Sequence, residues 1–337
     1  MTATDETLRI EGREVARGQR LRTKLKAVEL PDGTWVELPL HVVRGARPGP
    51  VMYLGAAIHG DEINPVEIVS TVARDVDVAQ LAGTLLVVPV QNPLAFQTQH
   101  RLPFAHIMKS PMDQSPPDVF HSFPGDPQGN ISAVIAHVLF DRLMLQADYM
   151  LDLHTPTTGG KYAPFAFLPP TRCGAVVKEA EALAKAFGAD FILANDKGMY
   201  VGDKNPHVVA AGRGKIAFGI ELGEGAVLDP VEVERGVRGL MNVLRAVSMI
   251  PGTPVELGRR YVMRTMTVIR ATRGGLLHLR VGLSEDVREG QVVAVVQDVF
   301  GDVVEEIRAP HAGPVVRVTT FPIVSSTERV VQLGVPR

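Results

Sequence analysis

The chain has 337 residues, 45% of them hydrophobic and 21% charged, with a formal net charge of −2. That balance fills a sizeable core and gives no electrostatic reason to expect nucleic acid or an anionic membrane as partner. A lone cysteine, Cys173, excludes an intrachain disulfide, the N-terminal stretch has no apolar signal core, and no run approaches the ~18 apolar residues of a membrane helix, so a cytoplasmic protein is expected.

Residues 1–50 are polar and turn-rich, with alternating runs such as TWVELPLHVV that read as antiparallel strands. VMYLGAAI (51–58) is a buried strand, and Asn64-Pro65 reads as the N-cap and first residue of a helix reaching about Val76. LLVVPV (85–90) is a second strand. Residues 94–129 show no clear periodicity and read as a functional loop or a partly disordered stretch. Asn130 caps a helix with an Ile131, Val134, Ile135, Val138, Leu139 stripe, followed by the strand YMLDLH (149–154). A helix over 174–188 stops at Gly188, KIAFGIEL (215–222) is a strand, and 230–248 is a helix. Strands alternating with helices predict an α/β domain over 1–254 with a mostly parallel mixed sheet covered on both faces. Beyond Pro251-Gly252-Thr253-Pro254, short Val-rich runs between turns predict a small all-β domain over 255–337.

Sites in open α/β sheets form beyond the carboxyl ends of the strands. The predicted strand ends deliver His59, Asp61 and Glu62, then Asn92 with Arg101 farther along, then His154, then Glu221. Two imidazoles and one carboxylate suit zinc, with a fourth position left to water whose pKa falls to about 7. The second carboxylate can take the water proton, and the arginine can polarise a carbonyl. Taken singly, each histidine reads equally well as an ordinary loop or core residue; the combination carries the argument.

GAAIHGDEINPVEIV, VPVQNP, LDLHTPTTGG and GIELGEG resemble the succinylglutamate desuccinylase/aspartoacylase family from about residue 35 to the C-terminus. The resemblance implies a three-layer α/β/α, carboxypeptidase-like zinc-hydrolase fold. It implies His59, Glu62 and His154 as ligands of one Zn2+ per chain, Glu221 as general base toward a zinc-bound water, and Arg101 as the carbonyl-polarising residue. The C-terminal segment resembles the biotinyl/lipoyl-like barrel-sandwich fold. It holds no lysine between 256 and 337, which excludes a carrier role.

One element departs from the family pattern. Many members carry Asp-x-Asn-Arg before Phe-Pro-Gly, and the Asn-Arg pair holds a substrate carboxylate; here Phe120 and His121 stand in its place. A histidine does not reproduce the guanidinium fork. His121 and Asn92 are the substrate-contact candidates, and His100 and His106 are candidates for the site mouth. Asp152, two residues before His154, is a candidate partner for it. Cys173, at a helix start, is a weak candidate for an activated thiol. The expected activity is hydrolysis of the amide of a small N-acylated amino acid or amine. The rivals are a zinc carboxypeptidase acting on short peptides or cell-wall fragments, and a non-catalytic binding protein on the same scaffold. A small-molecule substrate, with no nucleic acid or membrane partner, is expected; a homo-oligomer is compatible with the sequence.

Overall fold

The computed structural model describes residues 8–103, 118–256, 258 and 260–337. His106 lies outside the described residues. A short hairpin of β1 (Leu8–Ile10) and β2 (Arg13–Val15) precedes a long antiparallel pair, β3 (Arg20–Glu29) and β4 (Trp35–Arg44). Pro31-Asp32-Gly33 makes the turn between them, with Gly33 at φ +83°. Along β4 the alternate residues Val36, Leu38, Leu40 and Val42 are buried, as a strand with one covered face requires.

The central part follows as β5 (Arg47–Gly55), α1 (Asn64–Asp75), β6 (Ala82–Val88), α2 (Pro93–Thr98), α3 (Ile131–Arg142), β7 (Tyr149–His154) and β8 (Gly160–Phe167). It continues through α4 (Val176–Phe187), β9 (Phe191–Leu193), α5 (Pro206–Ala211), β10 (Ile216–Glu224) and α6 (Pro230–Ala246). Local chemistry explains several boundaries. Asn130 accepts a hydrogen bond from the Ala133 amide at 2.9 Å, and Gly188 ends α4 in the left-handed region at φ +89°. Asn64, expected as a cap, instead accepts from the Asp229 amide at 2.8 Å and ties the start of α1 to the start of α6.

The last strands are β11 (Tyr261–Arg270), β12 (Gly275–Leu279), β13 (Asp286–Val287), β14 (Val292–Gln297), β15 (Val303–Arg308), β16 (Gly313–Thr319), β17 (Ile323–Val324) and β18 (Arg329–Pro336). Four of them, β15-β14-β12-β17, form a sheet of their own. The others join the main sheet, whose order is β13-β16-β18-β11-β9-β8-β10-β7-β5-β6-β4-β3. β16 also pairs with β8, so β8, β9, β11, β18 and β16 close into a ring. Pairing is parallel across β6-β5-β7-β10 and β8-β9-β11 and antiparallel elsewhere. The sheet is therefore mixed: up to residue 254 it has four parallel and three antiparallel pairings, and the C-terminal strands add mainly antiparallel ones. The antiparallel contributions come from the N-terminal pair, from β4 against β6, from β8 against β10, and from the C-terminal strands.

Two apolar cores flank the main sheet. One packs α1, α4 and α6 through residues such as Val72, Phe187 and Leu240; the other packs α3 and α5 through Ile135, Leu139 and Ala210. A third core lies among residues 269–333. The first two contain the strands that end at the site, and burying each such side chain is worth about 1.5–3 kcal/mol. No helix among the described residues is long and apolar enough to cross a membrane.

Candidate active site

The parallel register of β7 and β10 sets Glu221 opposite His154, so both side chains leave the sheet on one face. β5 ends at Gly55, and the chain turns through Ala57, a buried alanine held at φ +45°. That left-handed turn costs on the order of 1–3 kcal/mol for a non-glycine residue, and it delivers His59 and Glu62 to the same place. Gly60 lets the turn press on α2: a Cβ there would lie 1.9 Å from the Ala95 carbonyl oxygen.

His59, Glu62 and His154 are all buried, and one donor atom from each lies within 4.8 Å of the others. His59 Nδ1 is 2.5 Å from Glu62 Oε1, and His154 Nδ1 is 2.9 Å from Glu62 Oε2. The outer nitrogens face carboxylates. His59 Nε2 is 3.1 Å from Asp118 Oδ1, and His154 Nε2 is 3.1 Å from Asp152 Oδ2, the latter at ion-pair distance without hydrogen-bond alignment. Gln91 Nε2 donates to Asp152 Oδ1 at 2.7 Å, and Tyr53 donates to Gln91 at 2.7 Å, so the His154 support runs back into the sheet. Imidazoles oriented by carboxylates behind them are the usual setting of metal-binding histidine.

Charge supports the same fit. Burial by itself would lower the His59 and His154 pKa values, yet Glu62 with Asp118, and Asp152 with Glu62, outweigh it and raise both. Burial likewise pushes Glu62 up, but the two imidazoles pull it down to about 2. The cluster therefore draws positive charge inward as protons, and a divalent cation supplies that charge in their place. These three residues could hold a metal ion.

Glu221 is 7% exposed; Tyr200 donates to its Oε1 at 2.8 Å, while Oε2 is buried with no hydrogen-bond partner among the described residues. Burial raises its pKa from the ordinary glutamate value, partly offset by His154 and the Tyr200 hydrogen bond. Arg101 Nη1 is 3.2 Å from His59 Nδ1 and 3.5 Å from Glu62 Oε1. Arg101, Tyr200 and Glu221 line a cavity of about 120 Å³ together with Tyr162, Arg317 and Arg329 and the loop 155–157.

Other sequence candidates fall elsewhere. Asn92 is buried and caps α2, accepting from the Ala95 amide at 3.2 Å, and it does not line the cavity. His121 Nδ1 turns to Asn205 Oδ1 at 2.9 Å. Phe120 is buried with its ring edge-on to His154 at 5.2 Å and tilted to His59 at 5.9 Å, so it walls the triad where a polar pair was the family expectation. Asp61 shapes the loop by accepting from the Thr158 amide and hydroxyl, both at 2.9 Å. Burial pushes the Cys173 thiol up, opposite to activation. Sequence reasoning missed Tyr200, Arg317, Arg329 and the pairing of Asp118 with His59. Only Asp118 carried a signal, being the acidic residue that opens the altered family element.

A helix-flanked mixed sheet with a buried His-Glu-His cluster and a second carboxylate at adjacent strand ends defines the class: an α/β protein whose strand ends gather residues that could hold a metal ion. Residues 48–247 match the family model of the succinylglutamate desuccinylase/aspartoacylase catalytic domain, and the chain belongs to that family. It is 28% identical over 269 residues to an N-alpha-acetyl-L-2,4-diaminobutyric acid deacetylase from Halomonas elongata, covering 78% of this chain and 75% of the relative. Among solved structures it resembles a succinylglutamate desuccinylase/aspartoacylase from Rhodobacter sphaeroides, with a TM-score of 0.80, 26% identity, and 94% and 96% of the two chains covered. It also resembles the product-bound ectoine utilization protein EutE (DoeB) from Ruegeria pomeroyi, with a TM-score of 0.79, 25% identity, and 94% and 95% covered.

Proposed function

We propose that the chain is a zinc-dependent deacylase that hydrolyses the amide bond of a small N-acylated amino acid or amine. The observation that carries the reading is the buried His59-Glu62-His154 triad beside a second buried carboxylate, Glu221, with one oxygen held and the other unpartnered. His59, Glu62 and His154 would hold the zinc, which would supply Lewis acidity toward a water and the substrate carbonyl. Glu221 Oε2 takes the proton of the attacking water and delivers it to the leaving nitrogen, so a carboxylic acid and an amine are released. The Arg101 guanidinium, reaching over His59 and Glu62, stabilises the negative charge that grows on the carbonyl oxygen. Asp118 and Asp152 hold the imidazoles in orientation from behind.

The Halomonas relative is a deacetylase of an N-acetyl amino acid, which favours acetyl among the acyl groups. We read the scaffold as the three-layer, carboxypeptidase-like arrangement with residues 255–337 as a second unit, in a cytoplasmic protein. Zinc-loaded protein incubated with N-acetyl, N-formyl and N-succinyl amino acids and diamines tests the activity through free amine. Amine release from at least one acyl amide is expected; release of C-terminal residues from peptides alone would favour the carboxypeptidase reading.

A further inference from the structure

Arg317 is out of place for an arginine. It is 7% exposed, sits in β16, and lines the cavity that Glu221 and Arg101 also face. Among the described residues no carboxylate lies at ion-pair distance from it, and its one side-chain hydrogen bond goes from Nη1 to Thr319 Oγ1 at 3.2 Å. A guanidinium has five N–H donors, and a buried charge without a counterion is costly. The surrounding sequence makes room for it: β16 pairs with β8 so that Arg317 stands opposite Tyr162, and the guanidinium packs over Gly160, where a Cβ would come within 2.2 Å of Nη2. Arg329, from the start of β18, lines the same cavity. Three guanidiniums, Arg101, Arg317 and Arg329, therefore face a cavity in which Glu221 is the one lining carboxylate among the described residues.

We propose that Arg317, aided by Arg329, is the subsite for a substrate carboxylate and sets specificity from the C-terminal β segment. The proposal rests on the deacylase reading and narrows it to substrates that carry a carboxylate besides the scissile amide. Phe120 walls the metal cluster and His121 is bonded to Asn205, so the usual element does not present a cation here. A guanidinium that lines the cavity without a counterion among the described residues keeps donors for a carboxylate, the group it pairs with best. That carboxylate can belong to the amino acid that leaves or to a dicarboxylic acyl group.

The test compares zinc-loaded wild type and Arg317→Met on three substrates. N-acetyl-L-2,4-diaminobutyrate carries the carboxylate on the amine side, N-succinyl-1,3-diaminopropane carries it on the acyl side, and N-acetyl-1,3-diaminopropane lacks it. The expected result is a KM at least about tenfold higher in the variant on one carboxylate-bearing substrate, with the carboxylate-free amide unchanged and Arg317→Lys intermediate. The substrate that responds identifies the source of the carboxylate. Equal effects on all three substrates, or none, overturn the proposal. If wild type cleaves none of them, the deacylase reading loses its support while calorimetric titration with L-2,4-diaminobutyrate and with succinate still decides the subsite. Binding of either that weakens about tenfold in Arg317→Met supports it, and unchanged or absent binding sinks it. Should Arg317→Met fail to fold, Arg329→Met, at an exposed position, takes its place under the same criteria.

Discussion

At Glu221 two influences oppose each other. Burial favours the neutral acid, while His154 and the Tyr200 hydroxyl favour the carboxylate, and burial wins. Removing the hydroxyl removes a bond that stabilises the charged form, so the carboxyl pKa rises further. In Tyr200→Phe the acidic limb of the kcat/KM profile therefore moves to higher pH, because the base form is reached later; the ring keeps its stack on Phe167 at 4.5 Å. An unmoved limb would detach Tyr200 from the general base. In the proposed zinc site Asp118 would act on the metal through His59, whose Nε2 it faces at 3.1 Å. Asp118→Asn is expected to weaken zinc affinity by about 10–100-fold, read by chelator competition, without changing which residues bind. The triad was legible because His59, Glu62 and His154 sit at the ends of apolar strands in compact motifs. Tyr200 was not: it lies in a single-turn helix after Gly198, where neither period nor spacing marks it.

Among the elements, the register of β7 on β10 does the most for the site, since it alone places Glu221 beside His154. Both strands were readable as apolar runs. β8 and β9 escaped for physical reasons: β8 contains Pro164, which lacks a donor, and β9 has three residues, too few to show alternation. α2 lies in an aperiodic stretch of sequence, and Asn92, a substrate-contact candidate by sequence, caps it. A capping role makes a distinct prediction. Asn92→Ala lowers unfolding free energy by about 1 kcal/mol in denaturant titration, while KM stays near the wild-type value; a KM rise at unchanged stability would restore the substrate role.

Over the whole molecule, the C-terminal strands are continuous with the main sheet. β11 pairs with β9 and β16 with β8, and Met263 and Val316 belong to the same core as the residues around α3. The composition shift at 251–254 was visible in the sequence, but long-range strand pairing was not, because no local pattern records a partner 150 residues away. A chain stopped at residue 254 would leave edges of β8 and β9 unpaired and apolar surface open. Such a truncation is expected to aggregate on expression, as read by size-exclusion chromatography; a monodisperse, zinc-binding product would show that the catalytic part stands alone. The same continuity brings Arg317 to the cavity that Glu221 and Arg101 line.

The measurement that bears most directly on the account is amide hydrolysis by zinc-loaded wild type and Glu221→Gln, with zinc content determined on the same samples. The account predicts a single zinc per chain in both proteins and a loss of about 10²–10⁴ in kcat in the variant alone. Full activity in zinc-loaded Glu221→Gln, or a wild-type chain that hydrolyses the amide without a divalent metal, would contradict it.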